Sequence, residues 1–239
     1  MKRKLTIFLS FIHLFVLAQD VSTPETSKWS IGLIASPNYC YRMLTSDKSP
    51  SSTYIVSERN TYELPKLGYT VGIDVCYLFS KHVSFETGIN YINKGYRTQY
   101  YSNFISPMPN DPYIPQKIKY DFNYHCIALP LQFNFIGGTK KIRFIGGAGL
   151  IINTFLYRQA IETSVYTDST VITHSRAQNG FNTLNISALL SCGIDMKLNS
   201  KLNFRALPFY RFDLDVFQTS PIKEHLWCSG INVGLYYKL

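Results

Sequence analysis

The sequence predicts an all-β fold, an eight-stranded antiparallel up-and-down transmembrane β-barrel, and three observations carry that expectation. Apolar and polar residues alternate with a period of two in successive runs. Aromatic residues are abundant, 18 Tyr and 16 Phe, while only 16% of residues are charged. Short turns alternate with long polar connections along the chain, the habit of outer-membrane barrels.

In chain order, Lys2, Arg3 and Lys4 precede an apolar run from Leu5 to Leu17 that ends in Ala18, Gln19 and Asp20. This is the organisation of a secretory signal peptide over residues 1–19, leaving one barrel domain over 20–239. The run is shorter than the roughly 20 residues a membrane helix needs, and nothing after it is long enough either. No cysteine follows it, so a lipid anchor is not expected. Without its three cations the formal charge falls from +9 to +6, with 21 Lys and Arg against 15 Asp and Glu. That modest excess suits anionic outer-membrane lipid and lipopolysaccharide. No basic run interleaved with stacking aromatics is present, so nucleic acid is not an expected partner.

The clearest alternation starts at Tyr69, where Tyr69, Val71, Ile73, Val75, Tyr77 and Phe79 share one face and Thr70, Gly72, Asp74 and Cys76 the other. After Ser80–His82 it resumes, with Val83, Phe85, Thr87, Ile89 and Tyr91 opposite Ser84, Glu86, Gly88, Asn90 and Lys94, so the two runs form a hairpin. The same pattern runs through Trp29–Leu44, Lys117–Phe135, Ile142–Ala160, Phe181–Lys197, Leu202–Asp213 and Ser229–Leu239, which makes eight strands, an even number that closes a small barrel. Short connections are Ser80–His82, Gly137–Lys141 and Asn199–Lys201; long ones are Thr45–Lys66, Tyr101–Gln116, Ile161–Gly180 and Leu214–Cys228. With short turns on the periplasmic side, both termini are expected to be periplasmic.

Pro107, Pro109, Pro112 and Pro115 mark the connection after Tyr101 as a surface loop, because proline donates nothing to a ladder. Pro130 and Pro208 fall inside strands and are expected at bulges or distorted rungs. Gly146, Gly147 and Gly149 lack the Lys-Ser/Thr continuation of a phosphate loop and point to close backbone packing. Cys40, Cys76, Cys126, Cys192 and Cys228 form no zinc pattern; an odd count leaves room for a disulfide without assigning one. No metal or cofactor is expected.

Parity sends the apolar residues outward, among them Ile127, Leu129, Leu131, Leu184, Ile186, Leu190 and Phe204. It gathers Asp74, Glu86, Lys94, Asp195, Lys197, Arg205, Arg211 and Lys238 inward. Eight strands leave room for side chains but little for water. Charges of both signs there read first as an ion-paired plug, since an unpaired buried charge is expensive. A narrow porin-like lumen for polar solutes is the alternative.

The opening Trp29-Ser30-Ile31-Gly32-Leu33, the stretch Ser84–Tyr96, the run Ile127-Ala128-Leu129-Pro130-Leu131 and Gly146-Gly147-Ala148-Gly149 together resemble the PorT-like outer-membrane β-barrel family of bacteria with type IX secretion. The resemblance spans nearly the whole mature chain. It implies an eight-stranded outer-membrane barrel, a proline tolerated at position 130, and an accessory role toward secretion or other envelope proteins. The ending Asn232, Gly234, Tyr237, Leu239 is similar to the polar-x-glycine-x-x-apolar-x-apolar signal read by the barrel insertion machinery, departing from it by closing on Leu239 instead of an aromatic residue.

Two further readings compete. A lipid-modifying barrel enzyme would draw on His174, His225, Ser175, Asp168 and Asp213 near the extracellular rim, but polar loops supply such residues by chance and no nucleophile elbow accompanies them. A soluble lipocalin-like barrel would invert the two faces and place apolar residues around an interior ligand.

Overall fold

The computed structural model describes residues 28–102, 114–217 and 220–239. The expected signal peptide and Pro107, Pro109 and Pro112 lie outside the described residues. Among the described residues ten strands and one helix follow in order: β1 (Trp29–Ser46), α1 (Pro50–Tyr62), β2 (Glu63–Leu78), β3 (Val83–Thr98), β4 (Tyr101–Ser102), β5 (Lys117–Gly137), β6 (Ile142–Val165), β7 (Thr170–Ala177), β8 (Leu184–Lys197), β9 (Leu202–Asp213) and β10 (Ile222–Lys238).

Eight of these strands form a closed antiparallel ring in the order β1, β2, β3, β5, β6, β8, β9, β10 and back to β1. Each strand pairs with its neighbours in the chain, and the ring closes where β1 meets β10 from Ser30↔Lys238 to Ser46↔Ile222. The two remaining strands are additions at the long-loop end. Tyr101 and Ser102 of β4 pair with Ile118 and Lys117, and β7 folds back on β6 from Val165↔Thr170 to Arg158↔Ala177.

The wall follows the expected parity. Leu33 is 66% exposed on the outer face, while Lys94 is fully buried on the inner one. In the central part of the wall, outward positions from Trp29 to Tyr39, Tyr69 to Phe79, Ile127 to Phe135 and Ser229 to Tyr237 carry no Asp, Glu, Lys or Arg. An exposed apolar surface of this extent is untenable in water and suits lipid. Aromatic side chains bound it on both sides. At the short-turn end Trp29 lies 4.6 Å from Tyr77, Tyr77 5.1 Å from Phe79 and Phe85 5.1 Å from Phe133, between ring centroids. At the other side Trp227 sits 6.4 Å from Tyr39 and 6.0 Å from Tyr210, and Tyr69 6.1 Å from Tyr91. The faces therefore stand as a membrane barrel requires, and the lipocalin-like inversion is excluded.

The three short turns fall where expected. The long connections differ. Thr45–Lys66 contains α1, which has no apolar stripe and is set by its ends: Ser49 caps it, its hydroxyl accepting from the Ser52 amide at 3.3 Å, and Pro50 occupies the first turn. Ile161–Gly180 is largely the β6–β7 hairpin. Leu214–Cys228 is shorter than expected, because β10 begins at Ile222.

Pro130 and Pro208 occupy regular strands without a register shift, and each removes rungs on one side only. Pro130 pairs with Ile151 of β6, while toward β3 the ladder passes from Thr87↔Leu131 to Asn90↔Ala128. Pro208 pairs with Ile231 of β10, while toward β8 it passes from Ser191↔Phe209 to Ile194↔Ala206. They are distorted rungs and not bulges. The bulges lie between Pro65 and Tyr69 of β2, and between His125 and Cys126 of β5 opposite Tyr157 and Phe155 of β6.

Cys40 and Cys228 face each other across the closing seam with Cα atoms 4.1 Å apart and form a disulfide; Cys76, Cys126 and Cys192 are free. The bridge joins residues 188 apart in sequence. In the chain-entropy picture, tying ends that distant restricts the unfolded chain by about 5 kcal/mol. Cys228→Ser should lower the temperature at which the folded, detergent-resistant species is lost on a heat-modifiability gel, and dithiothreitol should do the same to the parent but not to the variant. Equal transition temperatures for parent and variant would show that the bridge does not staple the seam.

Candidate functional site

Inward-facing side chains fill the lumen in groups. Nearest the short turns, Asp195 of β8 accepts from Arg143 Nε at 3.0 Å and from Arg205 Nε at 3.2 Å. Arg205 Nη1 also reaches Glu86 Oε2 at 2.6 Å, and the Tyr236 hydroxyl donates to Glu86 Oε1 at 3.1 Å. The Arg205 guanidinium stacks 4.0 Å above the Tyr236 ring. This one network ties five strands, β3, β6, β8, β9 and β10. Every charge in it has a partner of opposite sign, the condition under which buried ions are tolerated.

Tyr236 needs space, and glycine provides it. A Cβ on Gly32 or Gly234 would run into its ring. Gly147 is similarly hemmed in by Asn134 and Gln132, which accounts for close packing in the glycine run of β6.

Farther along, Asp74 accepts from Asn90 Nδ2 at 3.1 Å and borders a cavity of about 40 Å³ that Arg211 also lines. Next comes a partial apolar collar on five strands, Ile92, Ala128, Ile151, Leu189 and Phe209, completed by the polar Ser36, Asn38 and Thr70 of β1 and β2. On β3, β8 and β9 these collar residues lie between the first network and a second pair, Lys94 Nζ to both Asp213 oxygens at 2.7 Å. Ser187 donates to Asp213 Oδ1 at 2.6 Å, and Asn153 Nδ2 to Ser187 Oγ at 2.7 Å.

The long-loop mouth holds a third group. Arg59 of α1 reaches Glu63 Oε1 at 2.6 Å and Glu224 Oε2 at 2.7 Å, and Arg42 Nη1 donates to Asn60 Oδ1 at 2.6 Å. Tyr124 and Tyr96 donate to Glu224 at 2.8 and 3.1 Å. Burial, reinforced by the Glu224 carboxylate, holds both phenols well above the usual tyrosine range, so they remain donors. The rings of Tyr96 and Tyr124, with Cys126, Phe155, Phe217 and Leu226, form an apolar floor. Above that floor is a cavity of about 270 Å³.

A sequence model described as the outer membrane protein beta-barrel domain matches residues 17–213. The chain belongs to this family. Among curated proteins none matches it significantly. Among solved structures, OprG from Pseudomonas aeruginosa is 13% identical, with 89% of this chain and 98% of that one covered and a TM-score of 0.47. Neisserial surface protein A is 14% identical over the same shares, with a TM-score of 0.45. Ail of Yersinia pestis is 10% identical, covering 87% of this chain and 99% of its own, with a TM-score of 0.31.

Within this outer-membrane barrel, Asp74, Glu86, Lys94, Asp195, Arg205 and Arg211 are buried in the lumen as parity placed them. Lys197 and Lys238 are half-buried at the short-turn rim, and Lys238 lines a small cavity there with Arg143 and Arg205. Asn232 and Gly234 face inward and Tyr237 and Leu239 outward on the last strand. The residues suggested for an enzyme are dispersed. Asp168, His174 and Ser175 lie on the β6–β7 hairpin, His225 is half-buried with its Nδ1 3.0 Å from the Asp213 carbonyl, and the Asp213 side chain is committed to Lys94.

Parity would also have found Arg143, between outward Ile142 and Phe144, and Asp213, two residues beyond Arg211. Glu63 and Glu224 fall in stretches whose sequence reads as long connections, Thr45–Lys66 and Leu214–Cys228. Arg158 was hidden by the bulge opposite Phe155 and Tyr157, which shifts the inward set on β6 from odd to even positions.

Lys94→Met should cost about 3–5 kcal/mol by leaving Asp213 buried without its cation. Lys94→Met combined with Asp213→Leu should recover most of that loss. Guanidinium unfolding from lipid vesicles measures both, and an unaltered midpoint in the single variant would contradict a dependence of the lumen on this pair.

Proposed function

We propose that the protein is a plugged, rigid outer-membrane scaffold whose long-loop end faces the cell exterior and presents α1, the β6–β7 hairpin and the ends of β5 and β6 for interaction. The observation that carries this reading is the filled lumen: two ion-paired groups with apolar side chains from five strands between them, and cavities of about 40 and 30 Å³ among the described residues of the membrane-spanning part. A space of that size holds a water or two and does not pass a hydrated solute. What the fold invests outside the membrane is long ribbon. The strands extend well beyond the upper aromatic girdle, and α1 is fastened to them by Arg59 and Asn60.

The resemblance to PorT-like barrels supports an accessory role toward secretion or other envelope proteins. Lipopolysaccharide suits the outer face just above the upper girdle, where Lys66, Arg97, Lys119 and Arg176 surround His125 and Asp121. The N-terminal segment 1–19 acts as an export signal in this reading, and Asn232, Gly234, Tyr237 and Leu239 as the ending read by the insertion machinery.

Purified protein in planar bilayers should give no stepwise conductance; regular ohmic steps would favour the porin-like alternative. A protease site placed in the turn Tyr166–Ser169 should be cut in intact cells, and one at Ser80–His82 only after permeabilisation; the reverse would overturn the orientation. Replacing residues 166–169 or α1 by a short turn should leave a heat-modifiable barrel but fail to complement a deletion strain for secretion or envelope integrity. Full complementation by both trimmed barrels would sink the interaction role.

A further inference from the structure

The cavity at the long-loop mouth is built differently from the plug beneath it. Its lining holds two arginines and two glutamates, Arg59, Arg158, Glu63 and Glu224, but they are not paired one to one. Arg59 is shared between Glu63 and Glu224, and Arg42 bonds Glu63 from the far side, which leaves Arg158 of β6 without a carboxylate among the described residues. The Arg158 guanidinium is sandwiched instead between two rings, 5.3 Å from the Phe122 centroid and 5.2 Å from that of Phe181. Its Nε is buried and has no hydrogen-bond partner. A buried donor in that condition is costly unless something accepts from it.

The rest of the wall specifies what that acceptor should carry with it. Phe181 and Phe217 come from two different loops, and those loops are bonded to each other: the Asn182 amide donates to the Phe217 carbonyl at 2.6 Å, and Asn182 Nδ2 to the Val216 carbonyl at 2.9 Å. The aromatic wall is thus held in place before any ligand arrives, which lowers the cost of binding. At about 270 Å³ the space falls at the small end of the range for small-molecule sites, ~300–1,000 Å³.

We propose that this mouth cavity binds a small organic monocarboxylate with a flat or apolar body, its carboxylate on Arg158 and its body against Phe181 and Phe217. Arginine and carboxylate match as a planar, charge-assisted pair, and the guanidinium remains charged at every physiological pH. Glu63 and Glu224 in the same wall disfavour dianions, which separates this site from a phosphate or sulfate site. The site is independent of any protein partner of the outer ribbons, so its failure would leave the scaffold reading standing.

The test is equilibrium dialysis of the whole protein in lipid nanodiscs against radiolabelled phenylacetate, with empty nanodiscs as the partition control. Saturable binding at one site per barrel is expected. Neutral phenylacetamide should compete at least about tenfold more weakly, since the main attraction is a hydrogen bond between ions, and inorganic phosphate should not compete, since Glu63 and Glu224 repel a dianion and it has no apolar body for the rings. Arg158→Gln should weaken binding by about tenfold or more, and Phe181→Ala, a change in a surface loop, should weaken it as well. Arg176→Gln, on the outer face of the hairpin, should bind like the parent. Heat-modifiability shows that each variant is a closed barrel before it is scored. Absence of saturable binding to the folded parent, equal competition by the amide or by phosphate, or unchanged affinity in folded Arg158→Gln would each overturn the assignment.

Discussion

The constraint on which the rest of the structure depends is the absence of water in the hydrocarbon layer. Every backbone N–H and C=O in the spanning region must be paired within the protein, and a sheet meets that requirement only by closing on itself. Closure here rests on β1 and β10, the strands farthest apart in the chain, and the Cys40–Cys228 bridge lies across that seam. Pro130 and Pro208 show how far the requirement bends. Each keeps its pairing to one neighbour and gives up rungs to the other, so the wall remains continuous without a shift of register.

Lipid outside has an equal and opposite effect within. Charges cannot stand on the lipid-facing wall, so those in the spanning strands face the lumen, where most are stabilised by a counter-charge or by hydrogen bonds and Arg211 lies against the Phe209 ring. The Glu86–Arg205–Asp195–Arg143 network links non-adjacent strands through the interior, and so couples parts of the ring that backbone pairing alone does not. The partial apolar collar of Ile92, Ala128, Ile151, Leu189 and Phe209 then lies between this network and Lys94 and Asp213 on five of the strands, while Ser36, Asn38, Thr70 and Asn232 line the other three. Only beyond the membrane, where strands become free ribbons and loops supply Phe181 and Phe217, does the interior open into a space large enough for a molecule.

Much of this was legible as alternation. Strand after strand showed its outer and inner face, and six of the eight inward charges are fully enclosed. Failures came where structure is not set by a period of two. Helix α1 has no apolar stripe and depends on Ser49, Pro50 and the contacts of Arg59 and Asn60 with Glu63 and Arg42. Strand β7 is exposed on both faces and is held by backbone pairing to β6, so no pattern marks it. The bulge opposite Phe155 and Tyr157 reverses parity within a single strand and moves Arg158 to the inside.

The amino-acid order by itself determined the fold class, the number of ring strands, the short turns and which face of each strand meets lipid, because alternation in a strand converts directly into two faces. Only the tertiary structure decided which charges meet. Glu86 and Arg205 are 119 residues apart, as are Lys94 and Asp213. Their pairing depends on how far each strand is staggered around the ring, a quantity set by closure of the whole barrel and written in no single segment.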